Sequence, residues 1–119
     1  MIFIVDDDQA TRDSLRLLLE ADGFETREFA DGRAFLDGKR TADGDCLILD
    51  LTMPGMNGFE VLAELRRRGD SLPVIIVTAH ADPATRSRAA VGGAFGLVEK
   101  PHRASELLAL VRRALGIGP

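Results

Sequence analysis

The chain has one cysteine, Cys46, and neither tryptophan nor tyrosine among its 119 residues. A single cysteine cannot form a disulfide within the chain, so nothing in the sequence indicates an oxidising compartment. Cys46 opens the apolar run at residues 46–49, and we therefore expect it to be a small buried hydrophobic residue.

Long apolar runs are also missing, and no stretch approaches the roughly 20 residues that a membrane-spanning helix needs. The first apolar segment, residues 1–5, leads directly into acidic residues and is too short for the core of a signal peptide. These absences favour a cytoplasmic protein without membrane contact.

An excess of positive charge is absent as well. Fifteen basic and 19 acidic residues give a net charge of −4, which provides no general attraction to nucleic acid. The arginines at 66–68 and 112–113 come late in predicted helices, where they complement the helix dipole. We therefore expect no direct binding of nucleic acid by this domain.

What is present is the composition of an ordinary globular domain, with 45% apolar and 29% charged residues. A chain of 119 residues is long enough for one hydrophobic core but leaves no room for a second domain. The prediction is a single domain over residues 1–119, with any output domain absent from this chain.

Short aliphatic runs alternate with segments of helical spacing along the whole sequence. Most runs lack polar alternation, as in parallel strands covered on both faces, whereas residues 24–29 alternate as in an edge strand. The predicted strands are β1 (2–5), β2 (24–29), β3 (46–49), β4 (73–77) and β5 (94–98). The predicted helices are α1 (9–22), α2 (31–38), α3 (58–68), α4 (83–92) and α5 (103–115). Strands joined by helical crossovers form a doubly wound α/β sheet with helices on both faces.

Local residues support several of these boundaries. Asp8 and Asp82 stand where N-caps of α1 and α4 are expected, and Asn57 with Glu60 is typical of a capping pair at the start of α3. The acidic, glycine-containing stretch 41–45 is predicted to be a surface loop.

Polar side chains gather where the predicted strands end. Because the carboxyl ends of parallel strands share one edge of an open sheet, several carboxylates, a hydroxyl and an ammonium group should meet there. An Asp-Asp pair alone is more often a helix cap, but a matching pattern on four strands rarely arises by chance. The residues that follow or end the strands are Asp6, Asp7, Asp8, Asp50, Thr78, Glu99, Lys100 and Pro101.

Carboxylates that crowd together repel one another unless a cation lies among them, so this edge predicts a metal site. Oxygen ligands and a partly open coordination shell favour Mg²⁺, with Mn²⁺ as an alternative ion. A carboxylate beside Mg²⁺ can attack phosphorus and become an aspartyl phosphate, while a lysine and a hydroxyl neutralise phosphoryl oxygens. Since the site centres on β3, Asp50 is the candidate nucleophile.

Four motifs, in this order and spacing, make the sequence resemble the receiver domain of two-component response regulators. They are IVDDD at 4–8, LDLTMPGMNG at 49–58, VTA at 77–79 and EKP at 99–101. The resemblance covers essentially the whole chain and implies the strand order 2-1-3-4-5. Residues 78–82 are also similar to those in receivers of the LuxR-type transcription-factor branch.

The resemblance implies a role for each matching acidic residue. Asp50 would be the phosphoacceptor, and Asp6 and Asp7 would be the acidic pair that holds Mg²⁺. Asp50 and the backbone carbonyl of Thr52 would complete the protein ligands of the metal. Asp8 has no ligand role in this scheme and is interpreted as a cap.

The same resemblance assigns the other strand ends. Thr78 would be the switch hydroxyl that moves to the phosphoryl group, and Lys100 would form an ion pair with that group. Pro101 would follow a cis peptide bond, which fixes the loop that presents Lys100.

Leu97 departs from the family pattern, because many receivers have Tyr or Phe three residues before the lysine, and that ring moves inward with the switch hydroxyl. Phe95 lies two residues earlier on the same strand face, and we interpret it as a core residue rather than a substitute switch. His80 is interpreted as a solvated loop residue, and His102 as a packing or capping residue at the start of α5.

Taken together, the resemblance implies a signalling switch and not an enzyme that turns over. The chain would accept a phosphoryl group stoichiometrically from a histidine kinase or phosphotransfer protein, with only self-phosphorylation and self-dephosphorylation chemistry of its own. Phosphorylation would then change the affinity of the α4-β5-α5 face for an output domain or protein, or for a second copy in a phosphorylation-dependent homodimer.

Two other classes remain as alternatives. A phosphohydrolase with an aspartate nucleophile usually has a second Asp two residues later, where this chain has Thr52, and it needs a substrate cap that the length does not allow. A flavin-binding module would have only six phenylalanines as aromatic platforms.

Overall fold

The architecture comes from a computed structural model that describes residues 1–38 and 44–118. Five parallel strands form one sheet in the order β2-β1-β3-β4-β5, which confirms the predicted fold class and strand order. The strands are β1 (Ile2–Val5), β2 (Thr26–Phe29), β3 (Cys46–Asp50), β4 (Val74–Thr78) and β5 (Gly96–Glu99). The helices are α1 (Gln9–Ala21), α2 (Gly32–Gly38), α3 (Gly58–Arg67), α4 (Pro83–Val91) and α5 (Ala104–Ala114).

Most boundaries agree with the predicted ones to within a residue, and the two edge strands differ most. β2 begins at Thr26 rather than at 24, and β5 begins at Gly96 rather than at 94. An edge strand has a partner on one side only, so fewer hydrogen bonds define where it starts. Of the predicted loop at 41–45, residues 41–43 lie outside the described residues.

The hydrophobic core is divided by the sheet into two clusters. One lies under α2, α3 and α4 and takes alternate residues of the inner strands. The other lies under α1 and α5 and takes the intervening residues, including Ile4, Ile48 and Val77. Because successive side chains of a strand point to opposite faces, uninterrupted aliphatic runs are needed to fill both clusters.

Cys46 belongs to the second cluster and is completely buried, as predicted. Burial raises the pKa of its thiol to about 12, because the thiolate would lose its hydration. Cys46 is therefore a packing residue and remains protonated at neutral pH.

The predicted caps are found at α3 and α4. Asn57 accepts a hydrogen bond from the amide of Glu60 at 2.9 Å, and the Glu60 carboxylate accepts one from the amide of Asn57 at 3.0 Å. Asp82 accepts from the amide of Thr85 at 2.8 Å. Asp8 occupies the N-cap position of α1, but its carboxylate accepts from the Thr11 hydroxyl at 2.6 Å rather than from a backbone amide.

Phe95 was predicted to be a core residue, and this prediction is wrong. Its side chain is 46% exposed and does not belong to the core. It lies just before β5, at the outer edge of the sheet, where its amide donates to the Val74 carbonyl at 2.8 Å. No further strand covers that edge among the described residues. Leu97, two residues later, is partly buried against the cluster under α4.

Among the helices of the described residues, none combines the length and the apolar character required to cross a membrane.

Candidate functional site

Strand register brings the predicted site residues to one edge of the sheet. Val5 of β1 pairs with Leu49 of β3, so the next residues, Asp6 and Asp50, are neighbours. Thr78 ends β4 and pairs with Glu99, which places Lys100 directly beyond it. The edge formed by the carboxyl ends of β1, β3, β4 and β5 is therefore the candidate site.

Three carboxylates converge at this edge. Asp6, Asp7 and Asp50 each offer an oxygen, and these oxygens lie within 4.8 Å of one another. Asp6 and Asp50 are only 3% and 7% exposed, whereas Asp7 faces solvent. We refer to these three residues as the acidic cluster.

Lys100 supplies the positive charge beside the acidic cluster. Its Nζ lies 3.3 Å from Oδ1 of Asp50 and 3.8 Å from Oδ2 of Asp6. The backbone of Lys100 is anchored as well, since its amide donates to the Thr78 carbonyl at 2.8 Å. The peptide bond between Lys100 and Pro101 is cis, as predicted.

Burial and mutual repulsion change the acidity of the two buried carboxyl groups. The pKa of Asp6 is raised above its ordinary value, mainly because the charged form loses hydration. The pKa of Asp50 is raised by the same loss of hydration and then by the negative charge of Asp6, and Lys100 offsets only part of this. The unliganded cluster therefore resists full ionisation, and a cation among the carboxylates would relieve that resistance.

The donor set fits a hard divalent cation. Three carboxylates supply oxygen ligands, and Asp7 faces solvent, so water can complete the coordination shell that Mg²⁺ prefers. No nitrogen or sulfur ligand belongs to the cluster, which favours Mg²⁺ or Mn²⁺ over zinc. Mn²⁺ would bind to the same ligands.

Thr78 and Thr52 are the remaining predicted site residues. The Thr78 side chain is buried at the end of β4, and its hydroxyl oxygen accepts a hydrogen bond from the His80 amide at 3.1 Å. Thr52 lies in the exposed loop after β3, two residues beyond Asp50. His80 is exposed, in agreement with its interpretation as a loop residue.

Gly58 keeps the backbone around Asp50 compact. A Cβ atom at this position would lie 2.8 Å from the Asp50 carbonyl oxygen and 2.9 Å from Cα of Leu51, closer than real Cβ atoms approach. The Gly58 amide donates to the Leu51 carbonyl at 2.9 Å. Only glycine therefore allows α3 to start this close to the end of β3.

Sequence reasoning missed Arg12 altogether, and it placed Glu99 at this edge without assigning it a contact. Nη1 of Arg12 donates to the Asp6 carbonyl at 2.6 Å, and the Glu99 carboxylate accepts from the Ala81 amide at 3.3 Å. Charged residues near helix starts and strand ends are common, so nothing in the sequence distinguishes these two from their neighbours.

Fold and site together define a class: a doubly wound parallel α/β protein with a buried acidic cluster and a lysine at the carboxyl edge of its strands. The family model described as "Response regulator receiver domain" matches residues 2–112. The chain belongs to the response regulator receiver domain family.

Individual relatives agree with this assignment. The transcriptional regulatory protein FixJ of Azorhizobium caulinodans is 38% identical over 115 residues, covering 97% of this chain and 54% of FixJ. The response regulator protein TodT of Pseudomonas putida is 38% identical over 120 residues, covering 100% of this chain and 52% of TodT. The chain thus spans about half the length of these curated relatives.

Solved structures show the same fold. The chemotaxis protein CheY4 of Vibrio cholerae has a TM-score of 0.87 and 30% identity, with 96% of this chain and 97% of that chain covered. The similarity to FixJ also confirms the resemblance to the LuxR-type branch. Neither the phosphohydrolase nor the flavin-binding alternative finds support among these relatives.

Proposed function

We propose that this chain is a phosphorylation switch in which Asp50 accepts a phosphoryl group from a histidine kinase or a phosphotransfer protein. The observation that carries the proposal is the acidic cluster, whose oxygens lie within 4.8 Å of one another beside the ammonium group of Lys100. The family membership supports the same function.

In the proposed reaction, an oxygen of the Asp50 carboxylate attacks phosphorus. A bond forms between that oxygen and phosphorus while the phosphorus–nitrogen bond of the donor phosphohistidine breaks, and the leaving nitrogen takes up a proton. Mg²⁺ bound by Asp6, Asp7, Asp50 and the Thr52 carbonyl would offset the negative charge that the carboxylates and the phosphoryl oxygens bring together.

Lys100 and Thr78 are proposed to hold the phosphorylated state. Lys100 is already 3.3 Å from the acceptor carboxylate, so its ammonium group can pair with a phosphoryl oxygen after a small movement. The Thr78 hydroxyl would leave the His80 amide, to which it is now bound, and donate to the phosphoryl group. That movement would draw the loop between β4 and α4 towards the site.

The chain itself is proposed to have no turnover on external substrates, only self-phosphorylation and self-dephosphorylation. Its output would be a change in the affinity of the α4-β5-α5 face for an output domain or protein, with a second copy of the chain as the other candidate partner. Because FixJ is a transcriptional regulatory protein, we place this action in the cytoplasm, where bacterial DNA is transcribed.

Incubation with Mg²⁺ and acetyl phosphate, followed by intact-mass measurement, tests the proposal. We expect one added phosphoryl group in the wild type and none in Asp50→Asn or in the absence of divalent metal. Asp8→Asn is the matched control, because it removes a carboxylate from the same edge but outside the acidic cluster, and it should retain the adduct. A folded wild type that gains no phosphoryl group would contradict the proposal, as would an adduct that persists in Asp50→Asn.

A further inference from the structure

Arg12 makes a contact that crosses the loop carrying two residues of the acidic cluster. It lies in the first turn of α1, and its Nη1 donates to the backbone carbonyl of Asp6 at 2.6 Å. The side chain is only 15% exposed. The Arg12 side chain therefore connects α1 to the backbone just before Asp7, the cluster residue that faces solvent.

The remaining polar groups of Asp6 are also engaged. Its amide donates to the Phe29 carbonyl at 3.2 Å, and its Oδ1 accepts from the Asp8 amide at 2.9 Å. Arg12 thus holds the one backbone group of Asp6 that points toward α1. Without this bond, the turn from β1 into α1 would still be tied to the helix through Asp8, which accepts from the Thr11 hydroxyl, but the Asp6 carbonyl would lose its link to α1.

Glu28 in turn fixes the direction of the Arg12 side chain. Its Oε1 lies 3.4 Å from Nε of Arg12, and its Oε2 lies 3.1 Å from Nε of Arg16. Glu28 belongs to the edge strand β2 and pairs in register with Ile4 of β1. The guanidinium-bearing side chain is 15% exposed and the carboxylate-bearing one 28%, so solvent screens this ion pair less than it screens a fully exposed pair.

We propose that Arg12 is a positioning residue that, oriented by Glu28, holds the Asp6 backbone so that the acidic cluster stays assembled to bind Mg²⁺. The inference rests on the proposed function, because it concerns the metal that the proposed reaction needs. The physical reason is preorganisation: mutually repelling carboxylates spread apart when their loop is free, and bringing them together again costs binding free energy. Groups that orient metal ligands in this way commonly change metal affinity when they are removed.

The test is a Mg²⁺ titration of the whole chain, with the dissociation constant taken from calorimetry or from backbone amide shifts around Asp7. Arg12→Gln should weaken Mg²⁺ binding roughly tenfold, at the lower end of the usual effect of ligand-orienting groups. Arg12→Lys retains one donor and should recover part of the affinity. Glu28→Gln should weaken binding less than Arg12→Gln does, and adding it to Arg12→Gln should have little further effect.

Arg68 provides a matched control far from the site. Its Nη1 donates to the Leu36 carbonyl at 3.0 Å and its Nε bonds to Glu64 at 2.8 Å, so it combines the same two kinds of contact as Arg12. Arg68→Gln should lower thermal stability without changing the Mg²⁺ dissociation constant. This separates positioning from a general loss of stability.

The outcomes distinguish the two proposals. If the wild type binds Mg²⁺ and Arg12→Gln binds it equally well, the Arg12 inference is wrong and the proposed function stands. An equal loss of affinity in Arg68→Gln would also overturn the inference. A folded wild type that binds no Mg²⁺ contradicts the metal site itself. If Arg12→Gln does not fold, Arg12→Lys and Glu28→Gln carry the test, and unchanged affinity in both overturns it.

Discussion

Helices α3 and α4 follow adjacent strands that end at the site, yet they bury very different numbers of side chains. α3 buries Gly58, Val61, Leu62 and Leu65 and begins with a complete capping box. Within 83–91, all of which the structure describes, Ala89 is the only buried residue. At the end of α4, Val91 is 86% exposed.

The contacts between α3 and the segment around α4 are also weak. The Arg88 guanidinium lies over the ring of Phe59, 4.3 Å from its centroid, and Nη2 of Arg66 donates to the Gly93 carbonyl at 2.8 Å. These contacts lie at the surface, where such interactions contribute about 1 kcal/mol or less.

The difference in burial between α3 and α4 gives the two helices different freedom to move. Asp50 and the first residue of α3, Gly58, are buried, whereas α4 buries only Ala89, so a shift of α4 would expose little apolar surface. A phosphorylation switch needs this arrangement, because the energy available from a few new contacts must suffice to change the preferred conformation.

The largest expected effect tests the difference in packing directly. Leu65→Ala removes a completely buried side chain of α3 and should lower the free energy of unfolding by about 3 kcal/mol. Val91→Ala in α4 should change it by less than about 0.5 kcal/mol, because the side chain is exposed. Urea unfolding followed by circular dichroism measures both. Similar losses in the two variants would contradict the contrast between the helices.

An intermediate effect is expected at the strand end that precedes α3. In the absence of divalent metal, Asp50→Asn should raise the free energy of unfolding at pH 7, because the raised pKa of Asp50 makes its ionisation unfavourable in the folded state. A raised carboxyl pKa costs stability only above the unfolded pKa, so the gain should grow as pH rises through the folded pKa and vanish in more acidic solution.

The control for this prediction is Asp8→Asn. The Thr11 hydroxyl lowers the pKa of Asp8, so this variant should not gain stability at pH 7. Saturating Mg²⁺ should reverse the order of wild type and Asp50→Asn, since the metal stabilises only the intact cluster. Lower stability of metal-free Asp50→Asn would show that the ion pair with Lys100 outweighs burial and repulsion.

The smallest effect is expected on the α4 side. Leu97→Phe restores a ring where many receivers have one, and it should change the free energy of unfolding by less than about 1 kcal/mol, because Leu97 is only partly buried. The rate of phosphoryl adduct formation should be unchanged, since Leu97 lies two residues before the site edge on β5. Leu97→Met, which adds no ring, is the control. A changed rate of adduct formation in the Phe variant alone would link this position to the chemistry.

Much of the fold could be predicted from the sequence, because an aliphatic run and the residue that follows it are local features. Asp50 ends β3 and Lys100 follows β5 wherever the helices lie, and parallel strands then bring such ends to one edge. The burial of Cys46 and the capping pair at Asn57 were predictable for the same reason. The chemical roles assigned to the site residues remain predictions, those of Asp50 and Lys100 as much as those of Thr78 and Thr52.

Other features were decided by the tertiary structure alone. Phe95 has the composition of a core residue, but it is exposed because β5 is the last strand of the sheet. The bond from Arg12 to the Asp6 carbonyl and its alignment by Glu28 depend on how α1 packs beside β2. The sequence by itself therefore determined which chemical groups reach the site edge, whereas packing between distant segments decided which groups hold them and which side chains stay uncovered.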